Sequence, residues 1–242
     1  MTRDEIFARA TDSTQYDSST LDWPSEGSLP SPAMQPFRRS LRPELGDLSG
    51  KSVIDIGCGT GHLYTLFEEL GARTVTGLEP SARNVAQARR EFPKLALLHS
   101  SLADARPGAE FDVAVAVMSF EHQPDLRDAF RRVFGMLRPG GAFHLIFGDM
   151  AFHLTPRLGL RLESHEMPDG SVVIATGYPY GTIHDVIRPR EHYERAARLE
   201  GFEIVRCVEM LPTPELFDVD PRWRDFASRP MAHLMVMRKP GR

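Results

Sequence analysis

Cysteine is nearly absent from this 242-residue chain: it has two, Cys58 and Cys207. Two isolated thiols give neither a metal-ligand spacing nor a disulfide framework. Long apolar runs are missing too, and no stretch approaches the length of a membrane span. The opening Met-Thr-Arg-Asp-Glu has no signal-peptide core, so a cytoplasmic location is the expectation. No Lys/Arg cluster interrupts a net charge of −4, which argues against a nucleic-acid footprint. Internal repeats are not visible. With 41% hydrophobic residues, the chain can build one sizeable α/β core with additions.

What is present is a pattern of alternating strands and helices. Strand signals at 52–56, 74–78 and 95–99 are separated by helical signals at 61–70 and 81–91. The segment 111–118 is almost continuously apolar, as expected of a strand buried on both faces of a parallel sheet. A helix is predicted over 125–137, then a turn at Arg138-Pro139-Gly140-Gly141 and a strand over 142–147. A helix over 190–200 ends at Gly201, and strands near 202–210 and 231–238 complete the series. Alternation of this kind predicts a doubly wound sheet.

Residues 158–188 depart from it. Strand-like runs flank the turn Pro168-Asp169-Gly170, and 182–187 continues them, which predicts a small antiparallel addition. Such strands cannot join a parallel sheet without crossover helices, so they belong over the carboxyl ends of the main strands. Upstream, Met34, Phe37, Leu41 and Leu45 share a helical face, and Pro43 marks its kink or end. The resulting division is a lead-in and lid over 1–45 and a main domain over 46–242 that carries an insertion at about 149–188.

The strongest local signal is Val53-Ile54-Asp55-Ile56-Gly57-Cys58-Gly59-Thr60-Gly61. A β-branched strand enters a glycine-spaced turn and a helical pattern follows, which lets the backbone approach a ligand at a helix N-terminus. The second strand ends in Glu79, where a βαβ unit places a carboxylate against a ribose. His62 stands where a dinucleotide fingerprint has its third glycine. That substitution, with the Pro-Gly-Gly turn before the fifth strand, disfavours a nicotinamide-dependent oxidoreductase.

These residues resemble motif I of the class I S-adenosylmethionine-dependent methyltransferases. Phe111-Asp112-Val113, 121–125 (Glu-His-Gln-Pro-Asp) and 137–141 (Leu-Arg-Pro-Gly-Gly) resemble that family's fourth- and fifth-strand regions. The resemblance implies a Rossmann-like seven-stranded sheet whose last strand is antiparallel and lies between the fifth and sixth. It also implies S-adenosylmethionine as cofactor, with Asp55, Gly57, Gly59 and Gly61 at its methionine part and Glu79 on its ribose hydroxyls. Ser101 and Leu102 fall where the family lines the adenine, with serine in place of the usual acid and Asp104 as a substitute. Val117 and Met118 fall where it lines the sulfonium pocket. Arg38, or its neighbour Arg39, matches loosely a position that holds the cofactor carboxylate, and Tyr16 could close over it from the lead-in.

On the acceptor side, Asp149, His153, His165, Tyr178, Tyr180, His184 and Asp185 cluster in the divergent segment. Histidine has the ordinary pKa to remove a proton from a hydroxyl or ammonium, and His184 is the candidate base. His122 is a second candidate, or else organises the turn after the fourth strand. Methyl transfer can also proceed by alignment alone. The expected function is methylation of a small molecule, at oxygen or nitrogen before carbon, without a metal. A non-catalytic binding protein of the same fold is the alternative. The acceptor and the oligomeric state are not legible.

Overall fold

A computed structural model describes residues 1–17, 34–106, 108, 111–157, 159–178, 181–219 and 221–241. Tyr180, one of the acceptor-side candidates, lies outside the described residues.

The main sheet has seven strands: β1 (Ser52–Ile56), β2 (Thr74–Glu79), β3 (Ala96–His99), β4 (Phe111–Val117), β5 (Leu137–Gly148), β9 (Glu203–Met210) and β10 (Ala232–Arg238). Their order is β3-β2-β1-β4-β5-β10-β9. Every pairing from β3 through β5 is parallel, and β10 runs antiparallel to both its neighbours. The apolar strand β4 sits at the centre, as expected from its composition.

Period-two alternation divides the core between the two faces of this sheet. Ile54, Ile56, Ala114, Ala116, Phe143 and Leu145 face one layer. There they meet α5 (Leu126–Met136) and α7 (Arg190–Leu199) through Phe130, Val133 and Tyr193. Phe120, Phe130, Phe143 and Phe202 interlock in that layer with ring centroids 5.2–6.1 Å apart. Val53, Val113, Val115 and Ile146 face the other layer, against α2 (Gln35–Leu45), α3 (Tyr64–Glu69) and α4 (Ala82–Glu91). Each fully buried Leu, Ile or Phe in these layers contributes about 1.5–3 kcal/mol.

Boundaries shift where local chemistry differs from the expectation. The helix expected from 61 begins at Tyr64, because Gly61 still has a left-handed φ of 88° inside the turn. The turn expected at 138–141 lies inside β5, where the β4–β5 register shifts. Pro43 sits within the last turn of α2, and Phe37, Leu41 and Leu45 are buried on one face.

A second, three-stranded antiparallel sheet joins β6 (Arg161–Glu166), β7 (Val172–Tyr178) and β8 (Gly181–Ile187), preceded by the short α6 (Met150–Leu154). The helix α1 (Arg3–Ala10) packs on it with Ile6 and Ala10 against Val173, Ala175 and Val186. Thr2 and Glu5 form a reciprocal capping box that starts α1. The lead-in therefore serves two bodies: α1 covers the small sheet, and α2 covers the main one. Short α8 (Pro214–Val219) precedes β10. No described helix is long and apolar enough to cross a membrane.

Candidate functional site

The site grows out of the turn between β1 and α3. The Gly57 and Cys58 amides both donate to the Leu78 carbonyl, at 2.7 and 3.1 Å, which folds the turn over the end of β2. Gly57 has φ +72°, and a Cβ there would lie 2.5 Å from Ser119 Cβ. Ser119 fills that place and donates to the Ile56 carbonyl at 2.8 Å. Gly59 also has a left-handed φ, +55°, but a Cβ on it would meet nothing within 4 Å. The open space above Gly59 is a cavity of about 380 Å³ at the carboxyl ends of the strands. Gly61 is small for another reason: the Phe92 ring occupies the position of its missing side chain.

Glu79 closes β2 and is 4% exposed. Its Oε2 accepts from the Gly59 amide at 2.8 Å, and its Oε1 accepts from the Ser81 amide at 3.0 Å and Asn84 Nδ2 at 3.3 Å. Burial outweighs these donors and raises its pKa from the ordinary range. Asp55, 4% exposed on the cavity wall, is pushed up to about 7, first by burial and then by the charge of Glu79. Two buried carboxyls beside an open space form an acidic wall suited to a cationic or hydroxyl-bearing ligand.

Ser101 and Leu102 line the same cavity after β3. The Ser101 hydroxyl donates to Asp104 at 2.7 Å and accepts from the Asp104 amide at 3.2 Å, so Asp104 orients the serine. Val117 and Met118 line the end of β4, and Met118 is the sole non-glycine residue with positive φ (50°) among those described. Strain of this kind at a cavity wall marks a position fixed by its surroundings. Cys58, buried against Gly77, has its thiol pKa raised well above the ordinary value by burial, so it is a packing residue.

Two expected residues do not reach the cavity. Arg38 donates to the His62 carbonyl and to Thr65 Oγ1, both at 3.1 Å, and lies against Glu69 at 3.4 Å. It clamps α2 to α3 and is absent from the cavity lining. His184 shares its sheet face with Val186 and Ala175, the face that α1 covers, and Arg9 and Glu163 are its charged neighbours. Its neighbour Asp185 takes the opposite face, toward His122. One residue of strand parity separates the two.

The other acceptor-side candidates scatter. Asp149 caps α6 and accepts from His233 at 2.9 Å. His153 is buried and pushed down to about 4 by that burial. His165 stands beside Glu163 at the outer strand β6. Among the described residues, none of 149–188 lines the cavity, whereas Thr11, Ser13 and Tyr16 of the lead-in do. Asp17 ties that segment down by accepting from Ser81 Oγ at 2.6 Å and the Arg83 amide at 3.1 Å. Sequence reading passed over Asp17, Ser119 and Arg188. None carries a motif; each acts through contacts made far along the chain. No cluster of three or more His, Cys, Asp or Glu among the described residues could hold a metal ion.

With this geometry in hand, comparison with known proteins is specific. The family described as "Methyltransferase domain" matches residues 33–206. A ubiquinone biosynthesis O-methyltransferase from Rhodopseudomonas palustris is 35% identical over 113 residues, 45% of this chain and 44% of that protein. The chain thus aligns with less than half the length of the curated relative. An S-adenosylmethionine-dependent methyltransferase from Mesorhizobium loti superposes with TM-score 0.65 at 24% identity, over 85% of this chain and 97% of that one. The Burkholderia thailandensis 1,6-didemethyltoxoflavin-N1-methyltransferase, solved with its substrate and S-adenosylhomocysteine, gives TM-score 0.60 at 19% identity. That match covers 99% of this chain and 91% of the other. At these identities the structural likeness establishes the fold.

Proposed function

Because the chain belongs to the methyltransferase-domain family, we propose that it binds S-adenosylmethionine in the cavity above Gly59 and methylates a small-molecule acceptor. The observation that carries this reading is the pairing of Gly59 with Glu79. An amide of the turn fixes one carboxylate oxygen, and the space a side chain at Gly59 would fill is open. The cavity volume of about 380 Å³ falls in the range of small-molecule sites.

The residues present fit the ligand's chemistry. A carboxylate has about four acceptor positions, and Glu79 uses three of them on nitrogen donors; one ribose hydroxyl would take the open position on Oε2 and the other would displace the longest of those donors, Asn84 at 3.3 Å. Asp55 and the turn from Gly57 would hold the methionine end, and Ser101 and Leu102 would border the adenine. Val117 and Met118 would line the sulfonium region. Bound there, S-adenosylmethionine supplies a methyl group already activated by a positive sulfur. The chain's own task is then to align an acceptor and keep water out. The R. palustris relative is named an O-methyltransferase and the B. thailandensis neighbour an N1-methyltransferase, which favours oxygen or nitrogen over carbon as the acceptor atom. The lead-in over 1–45 is proposed as the lid, since Thr11, Asp12, Ser13 and Tyr16 border the cavity. The segment at about 149–188 backs that lid rather than lining the space.

Asp55 supplies a test that does not need the acceptor. An acid held at about 7 in the fold, against an ordinary 3.8, keeps its proton across that interval. The folded state then binds more protons than the unfolded one, so stability of the free protein declines as pH rises from about 4 to about 7. A cationic ligand beside Asp55 favours the ionised form and expels that proton. Calorimetric titration with S-adenosylmethionine near pH 6.5 is therefore expected to show an enthalpy that changes with the buffer's ionisation enthalpy, and affinity that rises with pH through about 7. Binding of NAD in place of S-adenosylmethionine would overturn the reading.

A further inference from the structure

The turn after β4 is gripped from several directions. Glu121 accepts from the Gly148 amide at 2.7 Å, and buried Arg188 donates to the Phe120 and Gln123 carbonyls at 3.3 and 2.6 Å. Ser119 holds the start of the turn on β1. These anchors hold His122 against the cavity, with Ser119, Gln123 and Pro124 beside it.

The protonation of that ring follows from its neighbours. Nδ1 lies 3.1 Å from the Ala10 carbonyl, which can only accept, so Nδ1 carries the hydrogen. The Gln15 amide nitrogen, 3.2 Å from Nδ1, has two carbonyls for its own hydrogens: Ala10 at 3.2 Å and His184 at 3.3 Å. Nε2 of the neutral ring is therefore the acceptor. The Tyr16 hydroxyl, 2.8 Å away, donates to it, and its lone pairs remain available on the cavity side. Asp185 Oδ1 stands 3.8 Å from Nε2, placed to stabilise a positive ring.

From this arrangement we infer that Tyr16 and His122 form a proton-accepting dyad, with Asp185 as a positioning residue, and that the acceptor is a hydroxyl compound. The inference rests on the methyl-transfer reading and narrows its substrate class. A carboxylate or tertiary amine offers no proton for the dyad to take, and a neutral amine is nucleophilic before it loses one, whereas a hydroxyl needs its proton drawn off as the methyl bond forms. The acceptor O–H bond breaks as its proton passes to the Tyr16 oxygen and the tyrosine proton passes to Nε2. The freed oxygen pair forms the bond to the methyl carbon, and the pair of the broken methyl–sulfur bond stays on sulfur. Positive charge moves from sulfur to the imidazolium, which returns its proton to solvent.

The surroundings keep the dyad in its working state. Burial lowers the His122 pKa and raises that of Tyr16, so at neutral pH the ring is free to accept and the phenol is intact. The charged and titratable groups facing the ring are Glu121 on its own turn, Asp185 on β8, Arg188 after β8 and Tyr16 from the lead-in. Asp185 is itself pushed up to about 7 by burial, with Arg157 opposing, so acid titration of the site involves both groups.

The test compares wild type with Tyr16→Phe and His122→Gln by three measurements: affinity for S-adenosylhomocysteine, transfer of labelled methyl to a panel of phenols, enols and amines, and ¹⁵N resonances of labelled histidine. Affinity is expected to stay within about threefold, because neither side chain contacts Glu79 or the glycine turn. Loss of a general base predicts that kcat falls about 10²–10⁴-fold in each variant, with the double variant no worse than either. In His122→Gln the acid limb should lose the His122 component and keep only that of Asp185. Wild-type His122 should resonate as the Nδ1–H tautomer and move in Tyr16→Phe. Unchanged kcat in either variant, an Nε2–H tautomer, or transfer to amines alone would overturn the dyad while leaving methyl transfer intact. Failure of the wild type to bind S-adenosylhomocysteine would instead remove the reading beneath it.

Discussion

Glu79→Ala is expected to weaken S-adenosylhomocysteine binding by well over tenfold while the protein stays folded. Two hydrogen bonds from ribose hydroxyls to a charged acceptor are together worth about 2–4 kcal/mol. At about 1.4 kcal/mol per decade, that range predicts a loss of one and a half to three decades. The variant also strips acceptors from the Gly59 and Ser81 amides and from Asn84. Gly59 and Asn84 border the cavity, so water can replace the carboxylate there in the free protein. Removing a buried acid whose pKa is already raised relieves part of the burial cost, which keeps the stability change small. Calorimetry checks the affinity and circular dichroism the fold; unchanged affinity in a folded variant would count against Glu79 as the ribose acceptor.

The glycines of the turn are expected to separate by function when each is replaced with alanine. Gly57→Ala places a methyl group 2.5 Å from Ser119 Cβ at φ +72°. Left-handed strain of about 1–2 kcal/mol adds to overpacking of about 1–3 kcal/mol. For a protein of this size, a melting temperature lower by roughly 4–20 °C follows. Gly59→Ala has the same kind of backbone strain at φ +55°, but its methyl group meets no protein atom within 4 Å. Its thermal loss should be the smaller of the two, and its affinity loss the larger in proportion, because the added group stands in the ligand's space. Differential scanning calorimetry with parallel titrations reads both. Equal thermal losses with intact binding in Gly59→Ala would show that the open space serves no ligand.

Much of this site was legible because its parts are local. Strand, glycine turn and Glu79 lie within one βαβ unit, and hydrophobic periodicity fixes their elements. The central place of β4 followed from its unbroken apolar run. The strand order, by contrast, came from family resemblance, since no local pattern dictates that β10 inserts between β5 and β9. Sequence shows a histidine's chemistry at His184 but not which face of β8 it occupies, and Asp185 is the one that faces His122. Arg38 was read as a ligand for the same reason, when its helical face turns to α3. The α1 helix carried a readable Thr2–Glu5 capping box that was passed over. Tyr16, His122 and Asp185 were each legible as reactive types. Their convergence was not, because it depends on how α1, β4 and β8 pack.

We propose that the cavity above Gly59 holds an S-adenosyl ligand with its sulfur toward the Tyr16–His122 pair. A crystal structure of the protein with S-adenosylhomocysteine tests it most directly. Ribose hydroxyls are expected on Glu79, adenine beside Ser101 and Leu102, and the amino-acid end at Asp55 and the Gly57 turn. A ligand seated elsewhere, or one whose ribose avoids Glu79, would contradict it.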